Sequence, residues 1–182
     1  MSRRYHVEGV ISAAEMIRQD IFPFLDKEKV YIAAKNHDIL KDIDPKSAVE
    51  EYSLPPDMLL SPAVIHAFAG GEYLLRLGLS GDIADAVRYH TTGRPNMTDI
   101  EKIIFVADYI EENREYETCK NARNIYLQSE KTKENFDKLI LKILKDTIGH
   151  LEKKKAEIYP LTLDTMKWYE RRAVEDACPY GL

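Results

Sequence analysis

The sequence predicts an all-α fold, on three observations. Apolar residues recur at helical spacing through most of the chain. No Asn-Gly or Asp-Gly pair joins two alternating runs, so the hairpin signal is missing. Capping and stop residues stand at the ends of the periodic stretches.

Val10, Ala13, Ala14 and Ile17 form one apolar stripe, the mark of a first helix. DKEKVYIAAKNHDIL forms a second that ends near His37. DIDPKSAVEEYSLPP is broken by Pro45 and the Pro55–Pro56 pair, which predicts a loop holding one short helix. Ser61–Pro62 opens the next helix with proline at an early position. That helix runs through AVIHAFAGGEYLLRLG to Gly78, a residue suited to closing it. SGDIADAVRYH reads as a helix with Asp82 as its cap and His90 at its end. Thr98 with Glu101 predicts a capping box at the head of EKIIFVADYI. KENFDKLILKILKDTIGHLEKKK is the clearest amphipathic helix, with Phe136, Leu139, Ile140, Ile143, Leu144, Ile148 and Leu151 on one face. LTLDTMKWYERRAVEDA closes the fold. No repeat or linker divides the chain, so the reading is one domain over 1–182. Its core spans about 1–115, and an elaboration of further helices spans about 116–182.

The composition excludes several roles. With 45% hydrophobic and 31% charged residues, the 182-residue chain is that of a soluble globular protein. A net charge of −5 and the lack of a basic stripe argue against a nucleic-acid partner. No segment reaches the roughly 20 apolar residues that span a bilayer. MSRRYHVEGV lacks the apolar stretch of a signal peptide. The two cysteines, Cys119 and Cys178, have no CxxC spacing, and the expected location is a reducing cytoplasm. Exposed apolar faces would allow a homodimer.

The chemistry lies in polar residues that interrupt apolar stretches. His66 sits in AVIHAFA, His37 is followed at once by Asp38, His6 begins the first helix and His90 ends another. Asp108 stands inside the apolar run EKIIFVADYI, where a carboxylate is costly unless a cation or several donors compensate it. Each alone is an ordinary core or capping residue. Together they form a mixed nitrogen and oxygen ligand set of the kind helix bundles hold in their interiors. Spacing alone does not show that they converge. His150, in IGHLEKKK, fits the last turn of a helix and is left outside this set.

The order His6, His37–Asp38, then a distant Asp108 resembles the H…HD…D pattern of HD-domain phosphohydrolases. HVEGV, HDILK, IHAFAGGEYL, RYHTTGRPNMTDIEKIIFVADYIEENR and YPLTL resemble, in order, the YqeK-type family, the symmetrical bis(5'-nucleosyl)-tetraphosphatases. That resemblance implies an HD-domain helical bundle that hydrolyses diadenosine tetraphosphate to two ADP with iron in the site. It implies His6, His37, Asp38, His66, His90 and Asp108 as metal ligands, with Asp38, Lys41, His66 and His90 catalytic. Substrate contacts would come from Asp38, Ile39, Leu40, Lys41, His66, His90, Thr91, Arg94, Asp108, Arg114, Tyr159 and Thr162. His66 and His90 either bind a second ion or donate to phosphate and protonate the leaving group. Imidazole and carboxylate ligands also suit Mn, Co, Ni or Zn, so residue types do not select iron. Two alternatives stay open: an HD-domain hydrolase of another nucleotide, such as a deoxynucleoside monophosphate or a guanosine polyphosphate, and a non-catalytic nucleotide-binding regulatory module.

Overall fold

The computed structural model describes residues 3–177. Cys178 lies outside them. Among the described residues there are helices only. They are α1 (Arg3–Ile21), α2 (Lys27–Asn36), α3 (Pro45–Glu51), a 3-10 turn (Pro56–Leu60), α4 (Pro62–Arg76), α5 (Gly81–Arg88), α6 (Asp99–Ile110), α7 (Glu117–Gln128), α8 (Lys133–Lys153) and α9 (Pro160–Ala177).

Local chemistry sets most of the boundaries. Asp26 caps α2 by accepting from Glu28 N at 2.8 Å, and Asp44 caps α3 by accepting from Ser47 N at 2.9 Å. Pro45 stands in the first turn of α3, where its missing N–H costs nothing. Gly78 (φ 82°) closes α4 in a Schellman motif: Leu79 N bonds Leu74 O at 3.1 Å and Gly78 N bonds Leu75 O at 2.9 Å. The capping box of α6 is present, with Glu101 accepting from Thr98 N at 3.3 Å.

One local expectation is corrected. Asp82 does not cap α5; Ser80 stands at the cap, and Asp82 lies in the first turn, paired with Lys29 at 2.6 Å. Helix α7 falls within the helical elaboration expected over about 116–182, though its own span carries no clear stripe. Only Cys119, Ala122 and Tyr126 of it are buried, while Ile125 and Leu127 are exposed and blur its apolar stripe.

Helix α6 is the axis of the bundle. It packs against α1, α2, α5, α7 and α8. That explains its nearly continuous apolar run: Ile103, Ile104, Val106 and Ala107 are fully buried. Each large aliphatic side chain there contributes roughly 1.5–3 kcal/mol of burial. The apolar stripe of α1 and the inner face of α8 join the same core, which extends from Val10 to Tyr169. A second, smaller cluster of Ala48, Tyr52, Leu54, Met58, Ile65 and Ala69 seats α3 and the 3-10 turn on α4. Asp108 therefore sits on a helix surrounded on most sides, and the polar ends of α1, α2, α4 and α5 reach it from around the axis.

Candidate metal centre

Five segments converge on one buried point. His6 comes from the first turns of α1, and His37 and Asp38 from the C-cap of α2 and the turn after it. His66 comes from the second turn of α4, His90 from the turn after α5, and Asp108 from α6. His37, Asp38, His66 and His90 are buried. His6 Nε2 lies 3.1 Å from His37 Nε2, 3.1 Å from Asp108 Oδ1 and 3.8 Å from Asp38 Oδ2. His37 Nε2 lies 3.7 Å from Asp38 Oδ2 and 3.8 Å from Asp108 Oδ1. On the other side of Asp38, Oδ1 is 3.1 Å from His66 Nε2 and 3.5 Å from His90 Nε2. Atoms held about 2.1 Å from one ion stand roughly 3–4 Å from each other, so these separations fit shared ligands. Asp38 belongs to both groups, with His6 and His37 on one oxygen and His66 and His90 on the other.

The protonation pattern also fits a cation. His37 Nδ1 lies 2.7 Å from Ala34 O, His90 Nδ1 lies 2.7 Å from Val87 O, and His6 Nδ1 lies 3.2 Å from Glu111 Oε1. All three oxygens are acceptors, so each Nδ1 carries the hydrogen and donates. The Nε2 lone pair of His37 then faces His6 Nε2 at 3.1 Å. Burial works against the His6 imidazolium, but the Asp108 and Glu111 carboxylates outweigh it and raise its pKa, so this point draws positive charge, whether a proton or a metal ion. Asp38 Oδ1 is buried and no donor meets it at a hydrogen-bonding angle. Burial pushes the His37 imidazolium down to about 4, and burial likewise lowers His66, so both rings are neutral and available as ligands near pH 7. Burial works against ionised Asp38 and Asp108. The histidines around Asp38, and Arg114 and His6 beside Asp108, outweigh it and hold both carboxyls well below the usual range.

Cations flank the cluster. Lys41 Nζ is 3.2 Å from Asp38 Oδ1 and 3.1 Å from His66 Nε2. Arg114 donates from Nη2 to Asp108 Oδ1 at 2.5 Å and from Nε to the Asp108 carbonyl at 2.6 Å. The opening this leaves is a cavity of about 320 Å³ reaching Lys41, His90, Thr91, Asp108 and Arg114, closed by residues of α6, α7 and α8. Thr91 Oγ1 is buried on this cavity and has no partner. Thr92 instead donates to Gly93 O at 2.8 Å, and Gly93 takes a φ of 61° in the turn.

Other expected residues stand elsewhere. The Arg94 guanidinium forks onto Glu101 at 2.8 and 2.6 Å and lies 4.8 Å from the Tyr89 ring centre, so it ties the turn to α6. Tyr159 packs edge-on against Phe68 at 5.6 Å, and Thr162 is buried behind it. Ile39 and Leu40 pack beside α4, Ile39 near Gly70 and Leu40 on the smaller apolar cluster. None of these lines the cavity. His150, set outside the ligand set on sequence grounds, does line it, with Asp146 and Thr147.

The structure adds Glu111. Its side chain is fully buried, and its second oxygen accepts from Asn113 N at 2.7 Å. Gly9 makes the room, because a Cβ there would come 2.2 Å from Glu111 Oε2. In sequence, Glu111 is the first residue of the acidic run EENRE and reads as a solvated helix end.

Buried imidazoles and carboxylates, gathered by a helical bundle beside a cation-flanked cavity, define a metal-dependent hydrolase. Comparison with known proteins gives the lineage. The HD domain family matches residues 3–113. The chain is 33% identical over 172 residues to the symmetrical bis(5'-nucleosyl)-tetraphosphatase of Bacillus subtilis (strain 168), covering 91% of this chain and 88% of that one. It is 37% identical over 146 residues to the enzyme of the same name from Halalkalibacterium halodurans, covering 77% and 75%. A crystal structure described as a predicted HD superfamily hydrolase involved in NAD metabolism, from Clostridium acetobutylicum, superposes with a TM-score of 0.81 at 27% identity over 94% of this chain and 90% of that one. The chain belongs to the HD-domain family and, within it, to the group of these symmetrical tetraphosphatases.

Proposed function

We propose that this protein hydrolyses diadenosine tetraphosphate, or a close dinucleoside tetraphosphate, into two nucleoside diphosphates, with iron as its resident metal. The observation that carries the reading is the position of Asp38, one oxygen toward His6 and His37 and the other toward His66 and His90. Those residues would hold the metal, with Asp38 common to both groups of candidate ligands. The relatives' names supply the substrate.

A bound divalent ion supplies Lewis acidity toward a phosphoryl oxygen and lowers the pKa of a coordinated water. The chain's own residues do the rest. Water adds to one of the two inner phosphorus atoms, and the bond from that phosphorus to the central bridging oxygen breaks. One diphosphate leaves with the bridging oxygen and the other keeps the oxygen of water, so both products are ADP. Lys41 and Arg114 stand where negative charge grows on the non-bridging oxygens and the leaving phosphate. The Arg114 fork, already fixed on Asp108, presents its remaining N–H groups without further ordering. Thr91 Oγ1 is a free donor for a phosphate oxygen. Arg94 acts through the turn that carries His90 and Thr91, by clamping it to Glu101.

No helix among the described residues is long and apolar enough to cross a membrane, in keeping with a cytoplasmic nucleotide hydrolase. The test is product identification from diadenosine tetraphosphate with iron-loaded protein. ADP alone is the expected product. ATP with AMP would contradict the reading, as would faster turnover of a deoxynucleoside monophosphate or a guanosine polyphosphate at equal metal loading.

A further inference from the structure

Two cavities flank the metal centre, and each opens on a different part of it. The smaller one, about 320 Å³, reaches His90 and Asp108 and is walled by Phe105, Tyr109 and Ile143. The other is an open cleft of about 500 Å³ that reaches His6 and Asp38. Lys41, Arg114 and Tyr116 line both, so the two spaces meet at these three residues. Arg3 lines only the open cleft. Its guanidinium pairs with Asp42 at 2.5 Å and is half exposed. Tyr116, the residue before α7, is 70% exposed.

We propose that the open cleft is a second nucleoside diphosphate subsite, in which Arg3 holds the outer phosphates. This rests on the dinucleoside tetraphosphate reading above. A substrate cut at its central bridging oxygen has equal halves on either side of the reacting phosphorus. Each half needs its own space. A volume of about 320 Å³ lies at the lower end for small-ligand sites and is filled by one half. The second half must leave the metal centre by another route, and the open cleft begins at the same cations. Its further cation, Arg3, meets the phosphates beyond the cut, for which a guanidinium offers paired donors. The cleft therefore selects a dinucleotide over a mononucleotide, which occupies the smaller cavity alone.

Equilibrium dialysis of metal-loaded protein against ADP, together with steady-state kinetics on diadenosine tetraphosphate, tests this. Wild type is expected to bind about two ADP per chain, with unequal affinities. Arg3→Ala is expected to bind about one and to raise KM for the tetraphosphate roughly tenfold. Filling the smaller cavity with Ile143→Trp is expected to abolish the remaining ADP site. A single ADP per wild-type chain, or an unchanged KM in Arg3→Ala, would overturn the second subsite. Wild-type protein that releases no ADP from the tetraphosphate would instead overturn the functional reading, whatever its ADP count.

Discussion

Glu111 accepts a hydrogen bond from His6 Nδ1 at 3.2 Å while its own side chain is shut away from solvent. This fixes the His6 ring so that Nε2 faces His37 and Asp108. Partners of this kind typically change metal affinity by about 10–100-fold when removed. Glu111→Ala is therefore expected to lower metal affinity by that factor, measured by competition with a chromogenic chelator. Circular dichroism should still show a helical protein. Unchanged affinity would mean that His6 is oriented by its helix alone.

Gly9 is the counterpart of that contact. A methyl group at Gly9 meets Glu111 Oε2 at 2.2 Å and Asn113 Nδ2 at 3.0 Å, and Glu111 is tethered at both oxygens. Gly9→Ala is expected to cost about 1–3 kcal/mol, as overpacking does. In a chain of this size that is a Tm lower by roughly 2–10 °C by calorimetry. Metal retention should fall with it, because the displaced group is Glu111.

Arg114 braces Asp108 at two points, one on the carboxylate and one on the backbone carbonyl. A lysine ammonium cannot reproduce that fork. Arg114→Lys is expected to keep bound metal, seen by elemental analysis, and to lower kcat/KM by about 10–100-fold. Loss of metal with no added loss of turnover per metal would assign Arg114 a purely structural role.

The polar residues of the centre were legible because they break apolar patterns. His66 among alanines and Asp108 within an isoleucine-rich helix are each ordinary alone, and become a signal only together with His6, His37, Asp38 and His90. Glu111 was not legible, because its neighbours Glu112 and Glu115 disguise it as surface. Neither was the cavity wall from α8. Asp146, Thr147 and His150 lie off the apolar stripe of an amphipathic helix, and off-stripe residues normally face water. Only the packing of α7 and α8 around α6 turns them inward. Arg94 illustrates the opposite limit. Family resemblance aligned it with substrate, while the Glu101 that captures it also serves the capping box of α6, a double use that requires the tertiary fold.

High pH probes the core away from the metal. Tyr126 is buried and donates to Asp20 Oδ2 at 2.7 Å, and burial, followed by that carboxylate, raises its pKa well above the ordinary value of about 10. Below pH 10 the folded and unfolded states both keep the proton, so stability is level. Above it the unfolded chain loses the proton first, and stability should fall by up to about 1.4 kcal/mol per pH unit from this group. Urea unfolding at pH 8 and at pH 11 measures the drop. Tyr126→Phe should begin about 1 kcal/mol less stable at pH 8, from the lost hydrogen bond, and decline less steeply.

Metal content decides the central claim most directly. Protein purified without oxygen, as wild type and as Asp38→Asn, would be assayed by elemental analysis against protein concentration. Wild type is expected to hold at least one transition-metal ion per chain, chiefly iron, and Asp38→Asn to have lost most of it, because Asp38 touches both histidine pairs. A wild-type protein that is free of metal and still cleaves diadenosine tetraphosphate would contradict the account.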